Sequence, residues 1–242
     1  MKSISIAYSV NDAPYEGALI YNDAVAHARP GVLLAPDWMG VSDQAVAHAQ
    51  RIAEAGYVVF VADMYGLGRR PTNRDEAAAL AAPLKDDVAE SCRRSLGALE
   101  ALRTLGRHHS PIADVAPAGV GFCFGGGNVL DLCRAGVELT AAVSIHGELV
   151  ARDPVHASGI SAPLLVLHGA ADPVSPDTQR IAFEAEMNAA GAHWSMMIFG
   201  GAVHSFTDPK ADVAGIAKYE PNAARWAFRL TDQFLEEAFS GG

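Results

Sequence analysis

Short continuous apolar runs alternate along this chain with segments whose apolar residues recur every three or four positions. Residues 32–35 and 57–62 are unbroken apolar runs, the pattern of parallel strands covered on both faces, and residues 141–145 form a further expected strand. Residues 115–120 are apolar enough for a buried strand, and 163–167 and 194–199 are further apolar runs that predict strands. Residues 4–8 and 16–21 flank turn residues at 11–14 and predict an N-terminal hairpin. Between the runs, residues 43–55 predict a helix, with Ser42 or Asp43 as its N-cap and Gly56 at its end. Leu96, Leu99, Leu102 and Leu105 mark one face of another helix, ending at Gly106. Further helices are expected over 126–134, 177–190 and 222–238. Residues 63–82 contain Gly66, Gly68 and Pro71 and read as irregular, a candidate small cap or active-site loop. Strands alternating with helices imply an α/β fold with a mostly parallel central sheet flanked by helices on both faces, and 242 residues fit one such domain.

Three motifs bring chemistry to this frame. Gly121-Phe122-Cys123-Phe124-Gly125 stands between a predicted strand and a predicted helix. A residue at such a junction occupies a tight turn, where flanking glycines avoid collisions of a Cβ with the neighbouring backbone. The turn lifts the side chain beside the first free N–H groups of the helix, and these donors favour a thiolate. The plain alternative is a small buried cysteine next to a glycine-rich turn. A dinucleotide-binding loop fits poorly, because Phe124 stands where the third glycine of that fingerprint belongs.

His168-Gly169-Ala170-Ala171-Asp172-Pro173-Val174 follows the run 163–167, which puts Asp172 in a loop past a strand end. Gly200-Gly201-Ala202-Val203-His204-Ser205-Phe206 follows the run 194–199 and does the same for His204. In a parallel sheet such ends share one edge, where ligands bind. Nucleophile, acid and histidine thus occur in one chain order, each after a predicted strand. In that reading His204 takes the Cys123 proton and Asp172 fixes the imidazole tautomer. His146 and His168 also fall near strand ends, either as pocket residues or as satisfied structural histidines.

With these motifs the chain resembles the dienelactone hydrolase family of α/β-hydrolases, whose nucleophile is a cysteine, from about residue 16 to about residue 237. A fourth match is Ala35-Pro36-Asp37-Trp38-Met39-Gly40. The resemblance implies an α/β-hydrolase fold and cleavage of a carboxylic ester or lactone without a cofactor. It implies that the backbone N–H groups of Trp38 and Phe124 form the oxyanion hole. Asp37 takes the place of a glutamate that helps activate the thiol, and is one methylene shorter. A second departure is Asp208, four residues after the histidine, where dienelactone-cleaving members carry an arginine that holds a substrate carboxylate. Arg69 and Arg70, in the candidate cap, are the replacement cations within reach of this reading.

Composition narrows the alternatives. The formal net charge is −10, and no basic cluster exceeds Arg69-Arg70 or Arg93-Arg94, which argues against a nucleic-acid partner. No apolar stretch approaches membrane length and no signal-like segment follows Met1-Lys2, so a cytoplasmic protein is expected, as a monomer or homodimer. Three cysteines without disulfide-like spacing agree with a reducing compartment. Cys92 and Cys133 fall in predicted helices as packing residues. His108-His109 lacks a nearby carboxylate cluster and reads as a solvated turn, so no metal is expected. Two other classes of function remain, a non-catalytic binding protein on a hydrolase scaffold and a thiol sensor with Cys133 as the resolving thiol.

Overall fold

The computed structural model describes residues 1–151 and 159–241. They form two compact units, Met1–Gly119 and Val120–Gly242.

The first unit opens with a hairpin of β1 (Lys2–Val10) and β2 (Ala13–Tyr21), paired along their full length. Asn11 and Asp12 form its two-residue turn, both with positive φ, which is the backbone that matches the twist of the flanking strands. Next come β3 (Gly31–Ala35), helix α1 (Asp43–Glu54) and β4 (Val58–Val61), and the strands lie in the order β1-β2-β4-β3. β3 and β4 are parallel and fully buried, as their unbroken apolar runs require. Ser42 caps α1 by accepting the Ala45 N–H.

Residues 63–82 are only partly irregular. Asp63 is buried at a turn, where its carboxylate accepts N–H bonds from Glu16, Tyr65 and Gly66, each at 3.0 Å. Helix α2 (Arg74–Asp86) then begins with Asn73 as its N-cap and buries Ala77, Ala81 and Leu84. The glycines and Pro71 all precede that cap, and an alanine-rich stripe gives a weak amphipathic signal. Helix α3 (Val88–Thr104) follows, and its buried face is Ser91, Ser95, Ala98, Leu99, Ala101 and Leu102. Leu96 is 41% exposed, contrary to the leucine face expected from sequence. Steps of three residues drift around a helix of 3.6 residues per turn, and small residues occupy the close contact instead. A Cβ on Gly97 in this helix would meet Val10 at 2.4 Å.

The chain passes into the second unit within β5 (Ala118–Phe122). This strand starts later than the apolar run suggested, because Pro117 has no N–H to offer a ladder, and Val115 is 50% exposed. Then follow α4 (Phe124–Arg134), β6 (Ala142–Ile145), β7 (Leu164–Gly169), α5 (Asp177–Ala189) and β8 (Trp194–Phe199), with the strands in the order β5-β6-β7-β8. β6, β7 and β8 pair in parallel. β8 lies at the end of that order, and Met197 and Ile198 on it are exposed. A two-residue ladder of β9 (Asp212–Val213) and β10 (Ala217–Lys218) precedes the last helix, α6 (Pro221–Ser240).

The buried Arg134 guanidinium at the end of α4 binds Asp131 (3.1 Å), Glu186 of α5 (2.8 Å) and the Leu149 carbonyl (2.9 Å). The helix that follows Cys123 is therefore anchored at its far end. Breaking one member of such a buried set costs about 3–5 kcal/mol.

Candidate active site

The turn between β5 and α4 explains the local sequence. Cys123 has φ 53° and ψ −117°, a strained backbone that a side-chain-bearing residue keeps only where its surroundings impose it. A Cβ on Gly121 would come within 2.1 Å of the Gly125 carbonyl oxygen, so the position accepts only glycine without backbone movement. The Cys123 N–H donates to the Ile145 carbonyl at 3.0 Å, which fixes the turn against the end of β6.

Asp172 lies in the loop after β7, where its N–H donates to the Gly169 carbonyl at 3.1 Å. Its Oδ1 accepts N–H bonds from Val174 (2.8 Å) and Ser175 (3.3 Å), which leaves Oδ2 for the histidine. His204 lies in the loop after β8. Its N–H donates to Ile216 and its carbonyl accepts from Lys218, both at 3.1 Å, so the loop is clamped on both sides of the residue. The two loops touch, since a Cβ on Gly169 would meet the Ala202 carbonyl oxygen at 2.5 Å.

The three side chains form one line. His204 Nε2 lies 3.0 Å from Cys123 Sγ, and His204 Nδ1 lies 2.8 Å from Asp172 Oδ2. Asp172 accepts the Nδ1 proton, so Nε2 faces the sulfur. Asp172 and His204 are 3% and 5% exposed, and Cys123 is half-buried. Burial of the ring opposes protonation of His204. The Cys123 sulfur charge and the hydrogen bonds from Asp172 and Cys123 outweigh it and push the imidazole up to about 10. The His204 imidazole therefore holds its proton well above the ordinary histidine range.

Two more histidines lie nearby. His146 follows β6, is 3% exposed and stands edge-on to the His204 ring at 5.4 Å. His168 lies inside β7, not in the loop, and burial pushes it below its ordinary range. Sequence alone did not distinguish His146 from His168. Its contact with Thr207, at 2.7 Å, carries no motif.

Of the other candidates, Asp37, Trp38, Arg69 and Arg70 belong to the first unit, and Phe124 and Asp208 to the second. The Asp37 carboxylate accepts the Met39 N–H at 2.8 Å and shapes the turn that ends at Gly40. Trp38 sits in that turn, and its carbonyl accepts from the Tyr65 hydroxyl at 2.7 Å. Arg70 donates to the Glu16 carbonyl at 2.6 Å and lies 3.3 Å from the Asp63 carboxylate, so its charge is already engaged. Arg69 is exposed. Asp208 caps a turn by accepting the Lys210 N–H at 2.8 Å. Among the described residues no group of His, Cys, Asp and Glu has the arrangement of a metal site, and no helix is long and apolar enough to cross a membrane.

Strand order, flanking helices and a cysteine at the strand–helix turn define an α/β-hydrolase fold. Residues 16–239 match the model of the dienelactone hydrolase family, and the chain belongs to that family. A dienelactone hydrolase-like promiscuous phosphotriesterase from metagenomic libraries superposes with a TM-score of 0.91 at 30% identity, covering 98% of each chain. A carboxylesterase from Lactobacillus plantarum shares the fold with a TM-score of 0.68 at 17% identity, covering 98% of each. An uncharacterized protein of Caenorhabditis elegans is 36% identical over 155 residues, 59% of this chain and 90% of the worm protein.

Proposed function

We propose that this hydrolase cleaves a carboxylic ester or lactone through a Cys123 acyl-enzyme. The observation that carries the reading is the unbroken line from Cys123 Sγ through His204 to Asp172, at 3.0 and 2.8 Å. The Cys123 thiolate attacks the carbonyl carbon, and the carbonyl π electrons move onto oxygen. The N–H group of Phe124, one of the donors the family pattern supplies, receives that oxyanion. One such donor is worth about 3–4 kcal/mol. As the tetrahedral species collapses, the C–O bond breaks and His204 gives its proton to the alkoxide. His204 then takes a proton from water, the hydroxide adds to the thioester, and the thiolate leaves with the carboxylic acid released. Amides are poorer substrates, because a thiolate leaves more readily than an unprotonated amine.

Two other readings are weaker. A thiol sensor needs a second sulfur within reach, and Cys133 lies ten residues further along α4, about 15 Å of helix rise. Burial also pushes the Cys133 thiol up to about 12. A phosphotriester reading rests on the metagenomic neighbour, so paraoxon-like triesters belong beside aryl esters and lactones in the substrate panel. Three free cysteines and a thiol nucleophile suit a reducing, cytoplasmic setting.

Cys123→Ala abolishes turnover of esters and lactones, and iodoacetamide inactivates the unmodified protein with one label on Cys123. Cys123→Ser retains little activity, since a site set for a thiolate does not ionise a hydroxyl. Full activity in Cys123→Ala removes the reading.

A further inference from the structure

The mechanism above leaves His146 without a role, although its ring is hydrogen-bonded to both the Cys123 turn and the His204 loop. The Cys123 N–H is shared, reaching His146 Nδ1 at 3.2 Å as well as the Ile145 carbonyl. A ring nitrogen that accepts an N–H carries no proton, so in the neutral ring the proton is on Nε2. Nε2 lies 2.7 Å from the Thr207 hydroxyl oxygen, which therefore accepts it. Thr207 is 2% exposed and follows His204 by three residues in the same loop. Phe206 packs edge-on with the His146 ring at 5.0 Å. His146 itself has φ 41°, and its N–H is held by the Leu167 carbonyl at 2.8 Å. A strained, side-chain-bearing residue at this junction indicates a position imposed by what the side chain does.

We propose that His146 is a positioning residue: as the Nε2–H tautomer it ties the backbone of Cys123 to the hydroxyl of Thr207 and keeps the thiol in line with His204. The nucleophile turn and the histidine loop are separate segments, and an imidazole supplies an acceptor for one and a donor for the other across a rigid ring. Its activity readout rests on the ester hydrolase reading. Its second readout, the alkylation rate of Cys123, does not.

Thr207→Val removes the acceptor at nearly constant shape, and Thr207→Ser keeps it. With an aryl ester, Thr207→Val lowers kcat about 10- to 100-fold and leaves KM within about 3-fold, as expected for a nucleophile displaced by a fraction of an ångström. Thr207→Ser returns kcat to within about 3-fold of the unmodified enzyme, because the hydroxyl is restored. Iodoacetamide labels Cys123 more slowly in Thr207→Val and in His146→Asn, because a misaligned His204 no longer holds the thiolate. The double variant His146→Asn/Thr207→Val is no slower than His146→Asn alone, the signature of two residues acting through one bond. A folded Thr207→Val with unchanged kcat and labelling rate overturns the proposal, as does a loss that serine fails to rescue. If Thr207→Val does not fold, unchanged labelling of His146→Asn overturns it. Should no ester be turned over at all, the hydrolase reading fails, and the labelling rates still decide the role of His146.

Discussion

A Cβ placed on Gly121 would lie 2.1 Å from the carbonyl oxygen of Gly125, four residues further along the chain. The end of β5 and the first turn of α4 are therefore in backbone contact. A second contact of the same kind joins Gly126 to Gly147, where an added Cβ on Gly126 would sit 2.7 Å from the Gly147 Cα. These approaches let the helix lie close enough to the strand ends for Cys123 to stand at its strained φ.

Gly121→Ala is expected to be severe, because the obstacle is backbone and cannot rotate away. Overpacking of this kind costs about 3 kcal/mol. For a chain of this size that is a fall in Tm of about 6–12 °C, read by thermal denaturation. A Tm within 2 °C of the parent, as an order-of-magnitude limit, would mean that the turn has room to relax.

Asp172→Asn keeps the fold and slows turnover by up to about 10⁴-fold. The asparagine can still accept the Val174 and Ser175 N–H groups through Oδ1, but it presents an N–H to His204 Nδ1. The imidazole then protonates on Nε2 and offers the sulfur no base. Asp37→Asn is expected to be milder, since the Met39 N–H it serves donates to an amide oxygen equally well. The reverse ranking in kcat would move the triad acid to Asp37.

Stability should depend on pH through His48 of α1. Burial, and then the charge of Arg51, push its imidazole down to about 4 from an ordinary 6.5. Its Nε2 lies 3.0 Å from the Gln44 amide nitrogen, a donor that needs an unprotonated partner. Above pH 6.5 both folded and unfolded chains carry the neutral ring, and this contribution to stability is fully present. As pH falls from 6.5 towards 4 the unfolded chain binds a proton that the folded chain refuses, and stability is lost. The loss is on the order of 3 kcal/mol. His48→Gln removes this dependence, so the difference in unfolding free energy between the two proteins changes between pH 7 and pH 4.5 in denaturant titrations. A constant difference would show that His48 protonates in place.

The site was more legible than its support. Cys123, Asp172 and His204 stood out because each follows an apolar run, and because tight turns there demand glycines and short polar residues. His146 and Thr207 had no such signal: one histidine at a strand end and one threonine in a loop look like many satisfied core residues, and only the folded chain brings them to 2.7 Å. Helix α2 gives no clear helical pattern in sequence, because its alanines pack through size, not amphipathic contrast. The spacing of the leucines places Leu96 on the buried face, whereas Ser91, Ser95 and Ala98 are the residues buried there.

The substrate should be neutral. Where dienelactone-cleaving relatives carry an arginine, this chain has Asp208, whose carboxylate is held in a turn by the Lys210 N–H. An arginine can grip a carboxylate with two parallel charge-assisted hydrogen bonds, and an aspartate repels it. Arg70 is a poor substitute, because it is already paired with Asp63 and bonded to the Glu16 carbonyl. Neutral lactones and aryl esters are therefore expected to show higher kcat/KM than matched substrates bearing a carboxylate. Asp208→Arg narrows that gap, chiefly through KM for the anionic substrate, and loses a turn cap worth about 1 kcal/mol. A preference of the unmodified enzyme for the carboxylate that survives high salt would show that another cation, with Arg69 the first to substitute, already holds it.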